Sequence, residues 1–500
     1  MQAALLNRDI ILEILNHTEI RTTWKDVAPL RRHRRDLLCI ALSCKAFLDP
    51  ALDLLWKRMD SLVPLFRILS GFVWQYSGHV LLGSVPSKEL TRLIRYAACI
   101  REIKISSSHR RIHSSALHRL WQLLQAPILP RLRTLFWDGA DLSTLQSIFF
   151  ITASLVHVDI QISSKPEAVR ENHELAAFLD TLADQASSLQ HLTVHGWLPQ
   201  YCIRAFARMK GLQSLHLKGC QLLAHRLAPA LPPVLHPFQR LSSLSIDCCI
   251  MLDMLAGIHS SLENLEHLEL FGDLTLCLHA LDSLASRRLV SLSVRFSLGK
   301  AGDYPHFFRK VASRFPRLRC FRAHLPSTSW WPPIRQYDFK DVFEPLLDLR
   351  HMEDCVLELM DVMILVEDQE VEQLAASWPR LRSFSASHRL HDDGRGPTML
   401  CLHAFAEYCQ SLEELDFPVR LSIQQGLPYP TPSSHGLKHL HLADPLGEYA
   451  ETDRIAQFLI ALYPSLNLRA MARRDVCSRT WRDIIEAMMR LRGPVPESDS

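Results

Sequence analysis

A six-residue phrase with apolar residues at its first, fourth and sixth places recurs along this chain: LQHLTV at 189–194, LQSLHL at 212–217, LSSLSI at 241–246, LEHLEL at 265–270 and LVSLSV at 289–294. The fourth and sixth residues stand two apart and share one face of a strand, while their neighbours point the other way. Burying a Leu contributes roughly 1.5–3 kcal/mol, and a lone strand has nothing to bury it against. The phrase is stable only when copies stack, so it predicts a solenoid whose core grows repeat by repeat.

That growth accommodates 500 residues, too many for one compact core. Hydrophobic residues at 48% and charged residues at 22% describe an ordinary folded chain. A net charge of +3 on 56 basic and 53 acidic residues creates no global field, so charge alone indicates neither nucleic acid nor an anionic membrane as partner. The thirteen cysteines contain no CxxC pair, which reads as reduced thiols in an intracellular protein without a zinc site. Arg8, Asp9 and Glu13 interrupt the first apolar segment, unlike a secretory leader. The later apolar stretch Leu62 to Trp74 is thirteen residues long and holds Arg67, short of the roughly 20 needed to span a bilayer. The expectation is a soluble protein of cytoplasm and/or nucleus.

IREIKI at 100–105 opens the series of phrases, and further copies begin at Leu132, Leu155, Leu189, Leu212, Leu241, Leu265, Leu289, Leu318, Leu381, Leu412 and Leu437, with a degenerate one over Met352 to Leu359. The LxxLxL core is that of a leucine-rich repeat, and Cys220 and Cys249 stand at the ninth place, where such repeats often carry Asn or Cys. Between copies, 115–125, 172–186, 304–315, 367–377 and 453–463 have helical periodicity. Pro316 and Pro379 close two of these segments just before the next phrase.

The first sixty residues have a different pattern. Leu6, Ile10, Ile11, Ile14 and Leu15 recur at helical spacing; Asp36 is placed as an N-cap for DLLCIALSCKAF (36–47); Asp49-Pro50 restarts a third helix with Leu52, Leu55 and Trp56. The run Arg31-Arg32-His33-Arg34-Arg35 reads as a solvated loop, with a localisation signal as the alternative. LNRDIILEIL, DLLCIALSCKAF and PALDLLW resemble the three-helix F-box, with Asn7 where that family usually has Pro. The resemblance implies docking on a Skp-type adaptor, and through it on a cullin ligase core, by Leu6, Ile10, Ile11, Ile14, Leu37, Leu38 and Cys44. The alternative is a helical cap that only seals the first repeat.

The expected architecture is thus α/β: an F-box-like domain over 1–60, connecting helices over 61–99, a leucine-rich-repeat solenoid over 100–470, and a cap helix and tail over 471–500. The strand pleat turns His157, Asp159, His191, Thr193, His195, Ser214, His216, Lys218, His267, Glu269, Arg295, Arg322, His324, His439 and His441 away from the core. From these, His191, His195, His216, His267, Glu269, Arg295 and Arg322 are the candidate contacts for a protein substrate. Trp330 and Trp331 of an aromatic insert join them, being of the residue types that dominate interfaces. No phosphate loop, dinucleotide fingerprint, HExxH or GxSxG motif occurs, and Asp392-Asp393 lacks calcium-loop spacing. The expectation is a chain without catalytic residues, metal or cofactor. The resemblance implies a substrate-recognition subunit of a cullin-type (SCF) ubiquitin ligase; the alternative is a non-catalytic interaction scaffold.

Overall fold

The computed structural model describes residues 8–17, 27–75, 78–105, 112–138, 148–162, 173–196, 198–199, 202–219, 222–223, 237–255, 262–296, 304–325, 335–389, 395–421, 433–443, 452–473 and 479–493. Leu6, Cys220, Trp330, Trp331, Asp392 and Asp393 lie outside them. The chain divides into two compact units, Met1–Leu241 and Ser242–Ser500.

In both units the phrase becomes a parallel strand starting two residues after its first Leu. The first unit pairs Glu102–Ile105, Thr134–Asp138, His157–Gln161, His191–His195 and Ser214–Lys218 in chain order. The second pairs Ser243–Asp247, His267–Gly272, Ser291–Phe296, Cys320–Leu325, Asp354–Leu365, Ser383–Arg389, Glu414–Pro418 and His439–Ala443 in the same way. Each unit is therefore a leucine-rich-repeat array.

Two hydrogen-bond patterns recur at most strand entries among the described residues. A turn precedes the strand, with the first Leu donating its N–H three residues back, as from Leu132 to Leu129, Leu318 to Phe315 and Leu381 to Trp378. Pro130, Pro316 and Pro379 occupy the second position of those turns, where a fixed φ near −65° is suited. The next two N–H groups then share one carbonyl of the preceding repeat: Arg133 and Thr134 bond to Arg101, Glu353 and Asp354 to Arg319, and Arg382 and Ser383 to Glu353, at 2.7 to 3.1 Å. The first Leu of each phrase, outside the ladder, is buried with the strand residues.

Across strands the register stacks like on like. In the first unit Leu135, Val158, Leu192 and Leu215 form one fully buried row, and Trp137, Ile160, Val194 and Leu217 the next. In the second unit Phe321 and Phe384 in one row are offset by Ala323 and Ala386 in the adjoining row of the same strands, so that large and small side chains alternate. Helices Ser114–Leu124, His173–Gln185, Tyr304–Arg314, Asp368–Ser377 and Thr452–Leu462 cover these rows at the positions their periodicity predicted. Two further helices, Leu274–Ser283 and Cys401–Tyr408, lie where no helical segment was expected.

The N-terminal region departs from expectation in detail. The second helix runs Val27–Ser43, so Asp36 lies inside it rather than capping it, and the basic run is helical rather than a loop. Tertiary pairing explains this: Arg34 reaches Asp60 at 3.1 Å and the Arg58 carbonyl at 2.9 Å, contacts remote in sequence. The third helix begins at Lys45, with Pro50 inside it rather than at its start. Residues 61–99 are not purely helical, since Phe72–Gln75 and Gly78–Leu81 form an antiparallel hairpin. His79 stacks on Phe72 there, with ring centroids 4.8 Å apart. The third helix passes straight into Arg58–Met59, a strand that pairs parallel with Glu102–Ile105 and covers its edge. In the second unit, helix Arg479–Arg492 buries Trp481, Ile484, Ile485 and Met488, and Arg492 bonds to the Leu466 carbonyl at 2.7 Å.

Two further departures concern single residues. Cys249, at the ninth place of its phrase, is exposed, whereas Cys248 points inward with its thiol 3.4 Å from that of Cys277. The strand Asp354–Leu365, expected as a degenerate copy, is the longest among the described residues; its register against Ser383–Arg389 shifts between Glu358 and Met363, and its second half pairs with Arg335–Asp338. Opposite that shift His388 is buried against Phe343 and Phe417, with neither ring nitrogen bonded.

Phe384 touches Trp378, Phe405 and Phe417. Phe384→Ala should cost about 3–5 kcal/mol, read from the urea midpoint of the unit containing it. Burial alone lowers the His388 pKa from its usual 6.5 to about 4. The folded state then binds the proton less readily than the unfolded chain, so this contribution is complete above pH 6.5 and is lost as pH falls towards 4. Stability should drop by up to about 3 kcal/mol across that window, and His388→Phe should flatten the dependence, as measured by urea titrations at stepped pH.

Candidate functional site

The pleat that buries the leucines presents the alternate residues outward, and the register decides which of them meet. In the first unit, one outward row is Glu102, Thr134, His157, His191 and Ser214; the next is Lys104, Phe136, Asp159, Thr193 and His216; the third contains Asp138, Gln161, His195 and Lys218. His191, His195 and His216 therefore share one face on two neighbouring strands. The His157 and His191 rings stand 5.8 Å apart, with Phe136 5.7 Å beyond His157. Burial, then the neighbouring His191, pushes the His157 pKa below the usual imidazole value. His195 Nε2 lies 3.7 Å from Asp159, and His216 Nε2 lies 3.0 Å from the Ser214 hydroxyl.

In the second unit the outward face is a ladder of charge pairs between successive strands. The Ser245 hydroxyl donates to Glu269 at 2.8 Å, and Arg295 approaches the other oxygen of Glu269 at 3.5 Å while lying over the Phe271 ring. Arg322 bonds to Asp354 at 2.5 Å, and His324 contacts Glu358. Asp416 accepts from Ser385 at 3.4 Å and pairs with His441 Nδ1 at 2.8 Å. His267 is exposed at the start of its strand, and Arg322, Asp354, Glu358, Ser383, Ser385, Glu414 and Asp416 line a depression of about 560 Å³.

The sequence-predicted residues Glu269, Arg295 and Arg322 thus lie on consecutive strands of one surface, alongside His267. Asp354, Glu358, Glu414 and Asp416, which complete it, were missed. Asp354 and Glu358 sit on the degenerate phrase, whose outward positions become legible only when its strand is aligned with Cys320–Leu325. The acid–base pairs lie across open strands, an arrangement suited to holding a surface of complementary charge. Among the described residues no group of His, Cys, Asp or Glu is placed to hold a metal ion, and no helix is long and apolar enough to cross a membrane.

At the N-terminus the docking candidates separate by burial. Ile11 and Leu37 are not surface residues: with Leu15, Ala41 and Ala51 they form the core of the three-helix module. Ile10 and Ile14, one turn apart, and Leu38 and Leu42, one turn apart, remain 41%, 46%, 47% and 77% exposed. Cys44 is exposed at the N-cap of the third helix.

No family model and no curated protein matches the chain. Solved structures do. A TLR13-ssRNA13 complex is 14% identical with a TM-score of 0.38, covering 69% of this chain and 48% of its own, so the chain spans about half of that protein. An internalin (inlF) from Listeria monocytogenes is 12% identical at 0.29, covering 55% and 69%. The leucine-rich repeat-containing protein LegL7 from Legionella pneumophila is 14% identical at 0.31, covering 66% and 95%. The repeat assignment rests on the register and burial of this chain.

Asp354 is only partly exposed and its second oxygen has no hydrogen bond. Arg322→Ala should therefore destabilise the second unit by about 1 kcal/mol, and Asp354→Asn added to it should recover part of the loss, as measured by a double-mutant cycle in urea.

Proposed function

We propose that this chain is a non-catalytic receptor subunit of a cullin-type ubiquitin ligase, holding a protein substrate on its repeats and a Skp-type adaptor on its N-terminal module. The observation that supports the adaptor half is the exposed apolar set Ile10, Ile14, Leu38 and Leu42, left over after the module has filled its own core with Ile11, Leu15, Leu37, Ala41 and Ala51. Large apolar residues kept in water on a helical pair are a docking signal. The substrate half is supported by the outward charge ladder, whose pairs can be exchanged for those of a polypeptide partner. Such a chain accelerates modification only by proximity, raising the effective concentration of a substrate lysine. Its site of action would be cytoplasm and/or nucleus.

A second reading has its own observation. The pairing of Arg58–Met59 with Glu102–Ile105, reinforced by the Trp56–Tyr96 stack at 5.0 Å, makes the module a cover for the sheet edge whether or not an adaptor binds. The chain would then be an interaction scaffold.

Co-purification separates the two. The wild-type chain should recover a Skp-type adaptor, and Ile10→Asp with Leu38→Asp should abolish recovery while leaving the unfolding midpoint nearly unchanged, because both positions are exposed. Recovery of no adaptor by the folded wild type would overturn the ligase reading and leave the scaffold.

A further inference from the structure

The residue just before each strand, whose carbonyl accepts the paired N–H groups, forms a row of its own. In the second unit that row begins Ser242, Glu266 and Val290 and continues Arg319, Glu353, Arg382, Glu413 and Lys438 on consecutive strands. From Arg319 onward its charges alternate and pair: Arg319 lies 3.5 Å from Glu353, and Glu413 lies 3.1 Å from Arg382 and 2.7 Å from Lys438. The bonds from Lys438 and Arg382 hold the Glu413 carboxyl below its usual pKa.

The same row in the first unit reads Lys57, Arg101 and Arg133, followed by the uncharged Val156 and Gln190. Like charges on adjacent strands repel, and Arg131, in the turn before Arg133, adds a further cation. Arg101 is lowered in pKa by burial first and by Arg131 next. Arg131 and Arg133 are exposed, and among the described residues neither has a carboxylate partner.

These side chains line a cavity of about 720 Å³ between the third helix, the helix Ser87–Ala97 and the entries of two strands. Its wall carries Lys57, Arg95, Arg101, Arg131 and Arg133 against Asp49, Asp53 and Glu102, an excess of two positive charges. The carboxylates are already engaged: Asp49 by Arg95 at 2.7 Å, Glu102 by Arg58 at 3.7 Å, and Asp53 by the Cys99 thiol at 3.2 Å. Arg101 donates to the Ala98 carbonyl at 2.6 Å, which pins its guanidinium at the end of the helix. Arg131 and Arg133 are left with their forks free.

We propose that this cavity is a binding site for a phosphomonoester dianion. Two charges match the excess, and tetrahedral oxygens suit guanidinium forks that line one cavity, whereas a single carboxylate leaves one positive charge uncompensated. The dianion comes either from a phosphorylated side chain of a bound polypeptide or from a small organic phosphate. The site uses none of the residues of the adaptor face, so it stands or falls separately from the ligase reading.

The test is isothermal titration of the full chain with phenyl phosphate and with a phosphoserine peptide and its unphosphorylated form, at constant ionic strength. Saturable binding of a phosphorylated probe is expected, weakened at least about tenfold in Arg131→Gln with Arg133→Gln. Binding should be unchanged in Arg319→Gln with Arg382→Gln, which removes the same charge from the neutralised row. Both substituted positions in the first pair are exposed and relieve repulsion, so the unfolding midpoint should not fall. Affinity should also weaken from pH 7.5 to 5.5, as the second phosphate proton is taken up near pH 6. Tighter binding of the phosphopeptide than of phenyl phosphate assigns the source to a polypeptide, and equal or weaker binding assigns it to a small phosphate. Absence of saturable binding, or equal loss in both double variants, overturns the proposal.

Discussion

One backbone carbonyl per repeat, shared by two N–H groups of the next repeat, sets the geometry on which the rest of the chain depends. It starts each parallel strand at the same point, so that Leu135 meets Val158 and Leu292 meets Phe321. A slip of one residue would turn every buried row outward. The turn before the strand then places the first Leu of the phrase behind the ladder, where it closes the gap to the helices. Hydrogen bonding fixes position here, and apolar burial supplies most of the stability, since a net backbone bond contributes only about 1 kcal/mol.

That fixed register also makes charge a property of rows rather than of residues. Arg133 and Arg382 occupy equivalent places, each in a Pro-Arg-Leu-Arg turn, and look alike in sequence. Arg382 faces Glu413 on the next strand, whereas Arg133 follows Arg101 and precedes Val156. The first is neutralised and the second is not. The outward face follows the same logic: Arg322 is a partner of Asp354 because the degenerate phrase at 352 stands next in the stack.

The N-terminal module is joined to this scheme through a strand of two residues. Arg58–Met59 carries the ladder back to the third helix, and Arg34 ties the second helix to Asp60 just beyond it. Those contacts draw the basic run into a helix that local signals would have begun at Asp36. His388 shows a different override: its place on the inward face follows from alternation along 383–389, and its unbonded nitrogens are tolerated because the neutral ring is packed among aromatic neighbours.

Much of the fold was legible in the sequence because its signals are local and repeated. The LxxLxL spacing located the strands, the prolines of 316 and 379 marked the turns, and five of the helices announced themselves by periodicity. Which outward residues exist was equally readable, since alternation needs no partner. Which of them pair was not, because neighbours in the sheet lie 23 to 34 residues apart along intervals of unequal length. The exposed Ile10 and buried Ile11, adjacent in the chain and alike in chemistry, were separated only when three helices closed on one another. Composition and spacing determined that a repeat sheet forms and what it is made of; tertiary stacking decided which charges cancel and which remain free, because Coulomb energy depends on distance in space and not along the chain.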